Sequence, residues 1–113
     1  MPPLAASVLA ALVEAHRQLA ELYADRLVRA VLYGSYARGE ASSGSDVNVL
    51  VVLHEPYEDS PEIKRLAGLE LELWERHGVD LHLMPFSAAR YDDTADPLMR
   101  DVHPEAVDLA EIG

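Results

Sequence analysis

The segment Val47–Leu53 reads VNVLVVL and is apolar at six of its seven positions. A strand with one face in water alternates, whereas a strand apolar almost throughout needs cover on both faces. This segment is therefore read as a central strand, and the rest of the chain must supply its neighbours and its two layers. Leu27–Tyr33 (LVRAVLY), rich in β-branched and apolar residues and closed by Gly34, predicts a second strand. Val79–Met84 (VDLHLM) alternates cleanly, with Val79, Leu81 and Leu83 on one face and Asp80, His82 and Met84 on the other.

Helices fill the intervals. Leu4–Ala24 carries Val8, Leu12, Ala15, Leu19 and Leu22, a single apolar stripe at helical spacing. Ser60-Pro61-Glu62 offers an N-cap, a proline at the first helical position and a carboxylate at the positive end of the dipole. The helix it announces carries Ile63, Leu66, Leu69, Leu73 and Trp74, with Trp74 read as core, and stops at Gly78. Ser35–Glu40 predicts one helical turn, and Ala41–Ser45 a Ser/Gly-rich loop. A polar loop follows at Tyr91-Asp92-Asp93, then a short helix after Asp96-Pro97. The expected order is α-β-(turn)-β-α-β-α. With 113 residues, no linker and no internal repeat, one domain spanning residues 1–113 is expected.

Composition removes several functional classes. The chain has no cysteine, which excludes disulfides and thiolate metal sites. No window approaches the roughly 18 apolar residues that span a bilayer. Met1-Pro2-Pro3 lacks the basic region of a secretion signal, so a cytoplasmic location is expected. The net charge of −11, with nine scattered Lys and Arg, argues against a nucleic-acid partner, because a phosphate backbone would be repelled. The five histidines show no H-x-x-x-H spacing, so a zinc site is not expected. Tyr36 and Tyr91 are read as packing residues rather than base-stacking platforms.

The chemistry concentrates elsewhere. At Gly34-Ser35 a strand turns straight into a helical start, which exposes backbone N–H groups and a hydroxyl suited to phosphate. Alone, such a pair is weak evidence. Asp46 and Asn48, one residue apart on a strand, project from the same face with their oxygens about 7 Å apart, a spacing able to flank magnesium. Asp80 adds a third side-chain oxygen from another strand, on a face shared with His82. Asp is depleted in strands, so its presence beside LVVL calls for a reason.

Tyr33-Gly34-Ser35-Tyr36-Ala37-Arg38-Gly39-Glu40, followed by Ser45-Asp46-Val47-Asn48-Val49-Leu50-Val51, resembles the signature of the minimal nucleotidyltransferases (MNT), the smallest members of the DNA polymerase beta-like superfamily. The shared elements are Gly-Ser, ten intervening residues, an Asp-x-Asp position on a strand, and a third acidic position matched by Asp80. The resemblance covers about Leu27 to Met84. It implies the nucleotidyltransferase fold, an α/β architecture of α+β type with helices packed on a small mixed sheet. It also implies that Gly34 and Ser35 hold the β- and γ-phosphates of a nucleoside triphosphate, with Arg38 and Ser45 supporting them. Asp46, Asn48 and Asp80 would form the catalytic metal site for two Mg2+ ions, with Asp80 helping to activate the acceptor hydroxyl. The implied reaction is attack of a hydroxyl on the α-phosphate of ATP with release of pyrophosphate. The implied role is that of an antitoxin that transfers AMP to a tyrosine of a small helical HEPN-type toxin. Self-association is left open.

One residue departs from the pattern. Asn48 stands where the family places a second Asp. An amide offers one neutral oxygen, whereas a carboxylate offers two charged ones and can bridge two cations. The alternative reading is therefore a catalytically impaired domain that acts as a stoichiometric binding module or nucleotide sensor.

Overall fold

The computed structural model describes residues 4–42, 45–55 and 57–112. In chain order the elements are α1 (Ala6–Tyr23), β1 (Leu27–Tyr33), α2 (Ser35–Arg38), β2 (Val47–Leu53), α3 (Asp59–His77), β3 (Leu81–Ser87), α4 (Ala88–Tyr91), α5 (Pro97–Glu105) and β4 (Val107–Asp108). Short 3-10 turns follow α1 and β4. The four strands form one sheet in the order β3-β2-β1-β4. β1 runs antiparallel to both β2 and β4, and β2 runs parallel to β3, so the sheet is mixed as expected.

β2 occupies the interior of the sheet because both of its faces are apolar. Val47, Val49, Val51 and Leu53 enter a core with Val8, Leu12, Ala15 and Leu19 of α1 and Leu66, Leu69 and Leu73 of α3. Leu50 and Val52 enter a second core with Val31, Phe86, Tyr91 of α4, and Met99 and Val102 of α5. Asn48, the one polar residue of the strand, lies on this second face and is half-buried. Asp96 caps α5 by accepting the Leu98 N–H at 2.9 Å, and Gly78 ends α3 in the left-handed conformation.

Four sequence expectations need correction. Trp74 is 54% and Ile63 50% exposed, because the buried stripe of α3 runs Glu62, Leu66, Leu69, Leu73. Each sits one position off that stripe. In α1 the stripe continues from Leu19 to Tyr23, leaving Leu22 exposed. α3 begins at Asp59, with Glu58 at its cap position and no side-chain cap bond, so Ser60 is not the N-cap and Pro61 lies within the first turn, whose N–H groups are free in any case. β3 starts at Leu81 and runs to Ser87, displaced from the expected 79–84. α4 and the two-residue β4 were not foreseen; both are too short to carry a periodic signal.

Candidate active site

Asp46 and Asp80 each stand one residue ahead of a strand rather than inside it. The Val47 N–H donates to the Asp80 carbonyl at 3.1 Å, which ties the two strand entrances together. Their carboxylates are 52% and 62% exposed, so the cost of burying a charge in a strand never arises. His82, one step further along β3, turns back toward both. Its Nε2 lies 3.7 Å from Asp46 Oδ1 and 3.5 Å from Asp80 Oδ1. One donor atom from each of the three falls within 4.8 Å of the others. These separations are long for direct hydrogen bonds. The two from His82 are of the order found between ligands that share one ion, roughly 3–4 Å when the bonds are about 2.1 Å. A divalent cation therefore fits the donor set, although the set holds two carboxylates rather than three.

Asn48 links this group to the Gly34-Ser35 turn. Tyr33, Asn48 and His82 are cross-strand partners, a single row over β1, β2 and β3. Gly34 adopts φ +85° and ψ −158°, a conformation open to glycine alone. A Cβ placed on Gly34 would meet Asn48 Nδ2 at 3.0 Å. The turn therefore needs glycine twice over, for its dihedrals and for the closeness of the Asn48 amide. Beside the row, a cavity of about 270 Å3 is lined by Tyr33, Asn48, Glu70, His82 and Met84 among others.

A residue missed in the sequence closes the turn. Glu105, the last residue of α5, accepts the Gly34 N–H at 2.9 Å through Oε1 and an Arg38 N–H at 2.8 Å through Oε2. Arg38 also donates to Glu40 at 3.0 Å, so its role here is to brace the turn. Burial, with the Glu105 charge adding to it, raises the Tyr33 hydroxyl above its ordinary pKa. The one sequence signal for Glu105 is its position, since a carboxylate in the last turn of a helix opposes the dipole and needs a partner. Ser45 sits apart from this arrangement, its hydroxyl accepting the Ser42 N–H at 2.9 Å. Tyr91 is buried edge-on against His103, a packing residue as expected.

The profile of the nucleotidyltransferase domain family matches residues 12–102, most of the chain. The protein belongs to that family. No curated protein sequence matches it. Among solved structures, a toxin–antitoxin complex with AMP-PNP superposes with a TM-score of 0.59 at 21% identity, covering 86% of this chain and 71% of the other. A tri-AMPylated HEPN toxin in complex with MNT antitoxin, from Shewanella oneidensis, gives 0.54 at 18% identity over 89% and 71%. A provisionally assigned minimal nucleotidyltransferase gives 0.54 at 29% identity, covering 88% of this nucleotidyltransferase-domain chain and 93% of its own. The fold is the nucleotidyltransferase fold.

Proposed function

We propose that this chain is a minimal nucleotidyltransferase that transfers AMP from ATP to a hydroxyl, the tyrosine of a HEPN-type toxin, and so acts as the antitoxin. The observation that carries this reading is the convergence at Asn48. The glycine turn packs against its amide, and the same cross-strand row ends at His82 beside Asp46 and Asp80. Two of the structural neighbours, a toxin–antitoxin complex with AMP-PNP and an AMPylated HEPN toxin with its MNT antitoxin, support the choice of nucleotide and acceptor.

In this reading the Gly34 and Ser35 N–H groups and the Ser35 hydroxyl hold the β- and γ-phosphates, and Ser45 shapes the loop that follows. Arg38 holds the turn in place. Asp46 and Asp80 anchor the divalent ion, and Asp80 takes up the proton of the attacking hydroxyl. When bound, the ion, expected as magnesium in a two-ion arrangement, stabilises charge on the attacking and leaving oxygens. Asn48 weakens that arrangement, and it is the observation that favours the second reading, a binding module without turnover.

The test uses radiolabelled ATP with a divalent cation, alone and with the co-expressed protein encoded beside this chain. Label transferred to a tyrosine of that partner supports the enzyme. A stable complex without transfer supports the binding module. Failure to bind nucleotide at all defeats the enzyme, and failure to form either a labelled product or a complex defeats both.

A further inference from the structure

His82 is the one member of the acidic group that the expected chemistry does not use. Its Nε2 faces both Asp46 and Asp80 without closing on either, and it lies directly across from Asn48 in the β2–β3 register. It therefore adjoins the position where a carboxylate is missing. At 53% exposure its ring is reachable from solvent and is not held by packing. The described residues around it offer no other basic side chain in contact with these two carboxylates.

We propose that His82 Nε2 is an ion ligand alongside Asp46 and Asp80, and that the site prefers a first-row transition ion, from Mn2+ to Zn2+, over Mg2+. The inference rests on the metal-site reading above and gives it a selectivity. Two carboxylates with an imidazole and a neutral amide form a softer, less negative donor set than three carboxylates. Magnesium demands hard oxygen ligands and gives up its water reluctantly. Imidazole nitrogen favours the later divalent ions, and affinity at mixed sites rises along the series from Mn2+. Exchanging a carboxylate for nitrogen thus disfavours Mg2+ in particular.

The experiment titrates Mn2+ alone into the intact protein, following the free-ion signal by electron paramagnetic resonance and competing with Mg2+. The bound ion is then examined for electron spin-echo modulation from a coordinated 14N. His82→Ala and Asp46→Ala are measured in parallel; both positions are exposed, so folding is retained and can be verified by circular dichroism. The expected result is Mn2+ binding at least about tenfold tighter than Mg2+, with nitrogen modulation present. His82→Ala should lose that modulation and about tenfold or more in Mn2+ affinity, since even residues one shell removed from an ion are worth that much. Binding that is lost in Asp46→Ala yet unchanged in His82→Ala, with no nitrogen modulation, overturns the role of His82 and leaves the metal site standing. Absence of Mn2+ binding, or binding indifferent to Asp46→Ala, overturns the metal-site reading itself.

Discussion

Gly34 is held at φ +85° with the Asn48 amide against it, so any side chain there must both enter a forbidden backbone region and displace Asn48. Gly34→Ala is expected to cost about 1–3 kcal/mol, the range for a residue forced into such a conformation, measured by urea denaturation. Nucleotide titrated into the unmodified chain is expected to shift the Ser35 backbone amide, and Gly34→Ala should abolish that shift. Asn48→Asp tests the same junction from the other side. It restores a bridging carboxylate at nearly constant volume, and nucleotide turnover in Mg2+ should rise at least about tenfold. Asp46→Ala or Asp80→Ala in that background should remove the gain. A wild-type chain already fully active would show that an amide ligand suffices. A variant inert with every acceptor, including a co-purified partner, would show that the domain is a binder. These positions were legible in the sequence because Gly34-Ser35, Asp46 and Asn48 lie within one short stretch whose spacing is fixed by a strand, a turn and a strand. Glu105 was not, because it reaches Gly34 across 71 residues and only the docking of α5 brings it there.

Among the elements, α5 and the α1–α3 pair each depend on a carboxylate. Glu105 at the end of α5 engages the same Gly34 N–H that the proposed function assigns to phosphate. The contact must open for a triphosphate to bind there. Glu105→Gln, which weakens the ionic hold on Arg38 but keeps an acceptor, should tighten ATP binding by about 1 kcal/mol, roughly fivefold, by calorimetry. A fall in affinity would instead make Glu105 part of the nucleotide-competent turn. On the other side of the sheet, Glu14 of α1 receives Arg76 and His77 of α3. Hydrogen bonds from Arg76 and then His77 pull its carboxyl from 4.5 down to about 2. Because the folded value is the lower one, the clamp stabilises fully above about pH 4.5 and is lost as pH falls toward 2. Glu14→Gln should therefore lower stability by roughly 1–2 kcal/mol at pH 7, discounting for the half-exposed Arg76. The gap to wild type should narrow below pH 4.5, read from denaturation midpoints across that range. The helix periods were readable, but their phase was not: the step from Leu19 could go to Leu22 or Tyr23, and Glu62 counts as polar in sequence. The Tyr23 hydroxyl, Arg26 and Arg65, which hold Glu62 at 3.0, 3.1 and 3.3 Å, explain its place in the buried stripe.

For the molecule as a whole, charge and shape bear on the class of partner. A net charge of −11 repels a phosphate backbone, and the acidic group at Asp46 and Asp80 is itself exposed. Trp74 and Leu71, one turn apart on α3, are 54% and 58% exposed, and Val13 on α1 is 45% exposed. No described helix is long and apolar enough to cross a membrane, so these residues are not part of a span. A protein partner is the expectation that joins these facts to the proposed transfer onto a tyrosine. Co-expression with the neighbouring reading frame should give a complex that survives gel filtration in high salt, since burial of apolar area is not screened by ions. Trp74 is the single tryptophan of the chain, so its fluorescence reports on α3 without labelling. A shift of its emission to shorter wavelength on complex formation would place the partner over α3, and an unchanged spectrum would direct the search to the face that carries Asp46 and His82. Tight binding to DNA or RNA that weakens steeply with salt, in place of a protein complex, would contradict the charge argument.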